Sequence, residues 1–162
     1  MAQASKQFVC NYDAPLDDVM AMLLDEGFRN KVCEAQGLLS HDVSITKEGD
    51  TTLVAIDKQQ PMAGLPSVAT KFLGARTDVR QRETWTGADM TLTLEIPGKP
   101  GGGSGNVSVV SKDGKTVETV EINVEVNVPL VGGKVAGIII DQFVAAMEAE
   151  YEVGKSWLAG ER

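Results

Sequence analysis

The stretch ETVEINVEVNVPLVGGK, residues 118–134, constrains this chain more than any other. From Val120 to Val128 every second residue is apolar, the period of a strand with one buried face. Pro129 ends the alternation, and from about Val131 to Leu158 the period becomes helical. At 1.5 Å per residue that helix is roughly 42 Å long. Lys134, Asp141, Glu148, Glu152 and Lys155 share its polar face, while Ile139, Ile140, Phe143, Met147 and Trp157 lie opposite. A one-faced sheet and a long one-faced helix each need an apolar partner, and here each is the other's nearest neighbour in the chain.

The Gly-Gly-Lys between strand and helix invites a phosphate-binding reading, which the spacing excludes. A phosphate loop needs a glycine five residues before its Gly-Lys and a Ser or Thr after it. Val128 and Val135 occupy those positions. The strand ahead of it also alternates, whereas a nucleotide-binding parallel strand is apolar throughout. GGGSG at 101–105 fails the dinucleotide pattern as well, because Asn106 stands where the last glycine belongs. Gly132 and Gly133 are read instead as the sharp turn from strand into helix. No cofactor is expected.

Upstream, KQFVCNY (6–12) reads as a first strand with Phe8, Cys10 and Tyr12 on one face. DAPLDDVMAMLLD follows, with Asp13 as a candidate N-cap, Pro15 in the first turn, and Asp17 and Asp18 favouring the helix start. Gly27 marks a break, and FRNKVCEAQG is a second short helix stopped by Gly37. DVSIT and TLVAID flank the turn KEGD. LPSVATKFLG forms a short helix near 66–73, with Val68 and Phe72 stacked one turn apart. Four more antiparallel strands follow, TDVRQRETW, MTLTLEIP, GNVSVVSKDG and KTVETVEINVEVNV, with an Asp113-Gly114 turn before the last. PGKPGGGSG is expected to be a mobile hairpin loop. The order is β-α-α-β6-α plus the extra short helix: an α+β fold of about seven curved antiparallel strands wrapped on a long C-terminal helix. A single domain over residues 1–162 is the expectation.

Composition narrows the function. With 15 Lys plus Arg against 23 Asp plus Glu, the net charge is −8, and nucleic acid would be repelled. The densest basic stretch, Arg76, Arg80 and Arg82, is interleaved with Asp78 and Glu83. No segment reaches the ~18 apolar residues of a membrane span, so no stable membrane insertion is expected. The first residues hold no apolar run of signal-peptide length, so a cytoplasmic protein with Cys10 and Cys33 as reduced, packed thiols is expected. His41 is the one histidine, read as a surface or strand-start residue; no metal site is expected.

The element order, with PLVGGK leading into AEYEVGKSWL, resembles the START-like (helix-grip, SRPBCC) superfamily, which includes polyketide cyclases and the birch-pollen allergen family. NYDAPLDDVMAMLLD, LPSVATKFLG, ETWTG and EIPGKP look like an actinobacterial family of unknown function within it, over roughly residues 7 to 158. The resemblance implies a small hydrophobic, lipid- or polyketide-like ligand held between sheet and C-terminal helix. It carries no catalytic motif to transfer.

Period-two facing supplies candidates for that ligand's surroundings. Leu92 and Leu94 share a face with Met90 and Ile96, and Ile122 and Val124 share one with Val120 and Val126. Val109 lies between them, and Ile139, Phe143 and Met147 come from the helix. Met62 and Phe72 would form a lid or simply cover the core. All of these are equally what a filled core requires. Polar residues at inward positions say more, because burial without a partner costs several kcal/mol. Val79 and Trp85 set the inward face of their strand, which turns Gln81 and Glu83 inward, and Glu150 falls in the apolar arc of the long helix. Glu83 and Glu150 would anchor a ligand's polar group or act as acid or base. Alternatively each reaches water or pairs with Arg76, Arg80 or a lysine. Three functions stay open: a binding or carrier protein, a small cyclase, dehydratase or hydrolase, and a closed-core interaction module.

Overall fold

Seven strands form one antiparallel sheet in the order β1-β7-β6-β5-β4-β3-β2. The computed structural model describes residues 2–62 and 64–162. Its elements are β1 (Ala2–Tyr12), α1 (Leu16–Leu23), α2 (Glu26–Ala35), β2 (Ser40–Glu48), β3 (Thr51–Pro61), α3 (Ser67–Leu73), β4 (Arg76–Thr86), β5 (Asp89–Glu95), β6 (Gly101–Lys112), β7 (Lys115–Val126) and α4 (Gly132–Leu158). The expected α+β order and the curved sheet on a long C-terminal helix are both present. Strands β2 through β7 pair in sequence order, with α3 inserted between β3 and β4, whereas β1 pairs with β7 and the α1–α2 pair carries the chain to the far edge.

Alternation decides which side faces α4. In β7, Thr116, Glu118, Val120, Ile122, Val124 and Val126 are all buried, and their neighbours point outward. The Asp113-Gly114 pair takes positive φ at both residues (53° and 78°), the geometry of a two-residue hairpin with the sheet's own twist. α4 keeps its polar face outward, as its charge pattern requires, and buries Val135, Ala136, Ile140, Glu150 and Gly154.

Several local expectations change. β1 begins at Ala2 and pairs with β7 along its whole length, because small Ala2 and Ala4 suffice inward where no large residue announces the strand. Asp13 does not cap α1; Pro15 occupies that position, and Asp13 lies near Lys115 at 3.7 Å in solvent. The side-chain cap belongs to α2, where Asp25 Oδ1 accepts from the Phe28 N–H at 3.0 Å. Gly27 is therefore no break but part of the first turn of α2, bare enough for Trp157 to pack beside it and meet Phe28 edge-on.

The glycine-rich segment is the largest correction. Gly101–Gly105 lie inside β6, all paired with β7 and, from Gly102 on, with β5 as well, and only Pro97–Pro100 remain as the turn. A Cβ at Gly105 would run into the Glu121 carbonyl oxygen, and one at Gly102 would sit 2.8 Å from that of Leu94. The glycines let three backbones approach where the sheet bends. At the β7–α4 turn the left-handed residue is Leu130 (φ 69°) rather than a glycine. Gly132 is needed there for size, since a Cβ would press on Ala2 and the Val126 carbonyl.

Candidate functional site

Between the sheet, α2 and α4 lies a cavity of about 50 Å³. Its apolar wall includes Ile56, Trp85, Leu92, Val120, Phe143 and Met147. Its other wall is polar: Arg29, Lys58, Glu83, Glu118 and Glu150, with the Gln81 amide among them. A second cavity of about 60 Å³ adjoins it toward α3, lined by Met62, Leu73, Leu94, Ile96, Val124 and Ile139. Lys58, Phe143 and Ala146 border both cavities.

Arg29 organises the polar wall. It is 3% exposed, yet it projects from the same face of α2 as Val32 and Cys33. Its Nη1 and Nη2 donate to Glu83 Oε2 and Oε1 at 3.0 and 2.8 Å, and its Nε donates to the Leu23 carbonyl at 2.7 Å. Glu150 Oε1 lies 3.6 Å from Nη1. Trp85 Nε1 donates to Glu83 at 2.9 Å, and the Gln81 amide donates to its other oxygen. Lys58 Nζ donates to Gln81 Oε1 at 3.1 Å. Burial alone would lower the Arg29 pKa, but the Glu83 and Glu150 carboxylates outweigh it and raise it. Glu83 is thus saturated by four donors, in a bidentate pair that both neutralises and orients it.

Glu118 is the opposite case. It is 2% exposed on β7, and its Oε1 has no hydrogen-bond partner among the described residues. Burial first, and the Glu150 carboxylate second, push its pKa up to about 8, against the pull of Arg29. Behind it the Cys10 thiol lies next to both Glu118 and the Tyr12 hydroxyl, and burial raises both of those pKa values as well. Glu150 is raised by burial, with Arg29 opposing. Lys58 is lowered by burial. The cavity therefore holds carboxyls and an amine displaced toward their neutral forms, beside one guanidinium held charged.

Of the candidates read from sequence, Gln81, Glu83, Trp85, Leu92, Phe143, Met147 and Glu150 line the first cavity. Met62, Leu94, Val124 and Ile139 line the second, with Phe143 shared. Three do not reach either. Val109 pairs opposite Glu118 toward the α1-covered end of β6 and is plain core. Ile122 is likewise packed core. Phe72 points into a surface groove with Val68, Val128 and Val131. The partner of Glu83 is Arg29, not Arg76, Arg80 or a lysine; Arg80 pairs instead with Glu95 at 3.5 Å.

Arg29, Lys58 and Glu118 were missed, though each breaks an apolar period. Glu118 precedes Val120, Ile122, Val124 and Val126 at the same spacing; Lys58 follows Val54 and Ile56; Arg29 precedes Val32 and Cys33 by three and four. Extending each inward face by one step finds all three. His41 lies on the edge strand β2, paired opposite Lys58, and lines neither cavity. Among the described residues no three His, Cys, Asp or Glu side chains converge as metal ligands, and no helix is long and apolar enough to cross a membrane.

Solved structures share this architecture. The chain is similar to the Zhui aromatase/cyclase from Streptomyces sp. R1128, with TM-score 0.67, 12% identity and 99% of each chain covered. It is also similar to norcoclaurine synthase from Thalictrum flavum, with TM-score 0.62, 12% identity, and 98% of this chain and 88% of that one covered. A START superfamily protein from Mycobacterium smegmatis matches with TM-score 0.54 and 14% identity, covering 94% and 98%. At such identities the likeness is one of fold. No curated protein matches in sequence. One sequence family, described as protein of unknown function (DUF2505), matches residues 7–158.

Proposed function

The chain belongs to the DUF2505 family of proteins of unknown function, and we propose that it binds a small, largely apolar molecule between the sheet and α4, holding one polar group of that molecule against Glu118 and Lys58. The observation that carries this reading is the Glu118 carboxyl, buried on a cavity wall with an oxygen that no side chain satisfies. A native interior seldom leaves such a group without a purpose, because its desolvation costs about 1–3 kcal/mol. Glu83, by contrast, is spent on Arg29 and serves as a wall rather than an anchor.

Size sets a condition on binding. Cavities of about 50 and 60 Å³ hold a few waters, whereas drug-sized ligands occupy about 300–1,000 Å³. Binding must therefore merge the two by moving Phe143 and Lys58, and enlarge the second by shifting α3. That helix has seven residues and no side-chain cap, and its Leu73 packs with Met62 and Ile96 in a separate small cluster. The residual space also favours this reading over a closed-core interaction module, whose interior would be filled. In this reading residues 1–162 act as one START-like domain in the cytoplasm, with Cys10 and Cys33 free and buried.

A second reading, acid–base catalysis as in a cyclase, dehydratase or hydrolase, is favoured by one observation. The Glu118 pKa of about 8 places its proton exchange near neutral pH, with Glu150 on the same cavity. Native mass spectrometry of protein from its own host, followed by denaturing extraction, tests the primary reading. A co-purifying apolar molecule that Glu118→Gln binds more weakly supports it. Bare protein, with no thermal shift from a panel of apolar acids, alcohols and ketones, sinks it. Chemical turnover of the recovered molecule would select the catalytic reading.

A further inference from the structure

We propose that the end of the molecule formed by α3, the β5–β6 turn and the β7–α4 turn is a docking surface for an anionic membrane. These three segments meet there: the Asn127 N–H donates to the Pro100 carbonyl at 2.8 Å, and Val68 and Phe72 of α3 share a groove with Val128 and Val131. At the tip stands Leu130, whose side chain is fully in solvent at 106% relative exposure, with half-exposed Val131 next to it. Leu130 also adopts φ 69°, a left-handed conformation that suits glycine or asparagine far better than leucine. An apolar side chain is thus held outward at a position where both solvation and backbone disfavour it.

Charge separates this end from the rest. The chain holds 23 acidic residues, yet none lies between Asp57 and Asp78, between Glu95 and Asp113, or between Glu125 and Asp141. Those intervals contain the whole tip. Its exposed charges are Lys71 on the groove, Lys99 in the β5–β6 turn and Lys134 in the first turn of α4. Of the carboxylates that bound these intervals, Glu125 accepts from Gln3 on the outer sheet face and Glu95 pairs with Arg80, while Asp78 and Asp141 are exposed beyond the tip. On a protein of net charge −8, an anionic surface attracts this lysine-bearing end against repulsion from the acidic remainder, so the field itself orients the approach. A protein partner is the poorer fit, since protein interfaces deplete lysine and concentrate Trp, Tyr and Arg. Lysines around an apolar wedge match lipid headgroups over acyl chains.

The same end covers the second cavity, where Leu73 of α3 meets Met62 and Ile96. If the ligand-binding reading holds, the molecule would leave or enter directly at the bilayer. Docking itself stands on Leu130 and the lysines without that reading.

Vesicle co-sedimentation of the purified chain decides it. The probes are vesicles of phosphatidylcholine alone and of phosphatidylcholine mixed with anionic phosphatidylglycerol, at low salt. Binding to the anionic vesicles only is expected, falling about five-fold for each of Lys99→Gln and Lys134→Gln. Leu130→Asn should lower it about ten-fold or more. That variant should fold at least as well as the parent, because asparagine accepts the left-handed backbone, so its melting temperature should hold or rise. Equal binding to neutral vesicles, no binding to either, or binding that Leu130→Asn leaves intact overturns the proposal. So does a dimer in solution that Leu130→Asn dissociates, which would assign the tip to a second copy of the chain.

Discussion

Replacing Glu118 by glutamine keeps the size of the side chain and removes its ionisation. In the folded protein Glu118 holds its proton up to about pH 8, whereas a carboxyl in the unfolded chain releases it near the ordinary 4.5. Between those values the folded state binds more protons, so stability falls as pH rises. Below the lower value the two states bind alike and the contribution is complete. At about 1.4 kcal/mol per pH unit, the window from 4.5 to about 8 corresponds to about 5 kcal/mol. Glu150 borders the same cavity and is also pushed up by burial, so the two share the titration and about 3–5 kcal/mol is the expected span. Glutamine carries none of this pH dependence, but its amide introduces a buried donor that costs about 1–3 kcal/mol at every pH. Urea denaturation at a series of pH values should therefore show Glu118→Gln less stable than the parent in mild acid and more stable in mild base. The curves should cross. Parallel curves would refute the argument, because they would mean Glu118 is ionised in the folded protein across the whole range.

Glu83→Ala should cost about 3–5 kcal/mol by removing the bidentate partner of buried Arg29 and leaving it only the longer Glu150 contact; the double variant Arg29→Met/Glu83→Ala should cost less than the two single losses combined, measured by the same denaturation. Phe143→Ala removes the partition between the two cavities and should destabilise by about 2–4 kcal/mol, its partial exposure discounting the usual Phe→Ala loss. It should also gain affinity for a small aromatic probe such as indole in calorimetry, and a loss of stability with no such gain would count against a mergeable cavity. Gly102 to Gly105 lie within a doubly paired strand, so native-state exchange should show protected amides there; exchange at loop rates would contradict the β6 assignment.

Much of this molecule is local and therefore legible in the chain. Alternation from Val120 to Val126 announces β7 and its buried side, and the charge pattern from Lys134 to Lys155 announces the outer face of α4. Both follow from a period imposed by backbone geometry on neighbours in sequence. Even the inward turn of Gln81 and Glu83 follows from Val79 and Trp85 on the same strand.

What tertiary structure alone decided is who meets whom. The glycine run reads locally as a mobile hairpin loop, and only the approach of Leu94, Glu121 and Glu125 from two flanking strands makes absent side chains a requirement of the bend. Glu83 reads as a free anchor until Arg29, fifty-four positions away on α2, saturates it. Glu118 becomes the unsatisfied carboxyl only because the elements packed against it present Glu150 and a thiol and no donor for its Oε1. A period shows which side of an element is covered, because covering is a property of one segment. Pairing is a property of two, and their separation in sequence carries no trace of it until the sheet closes on the helix.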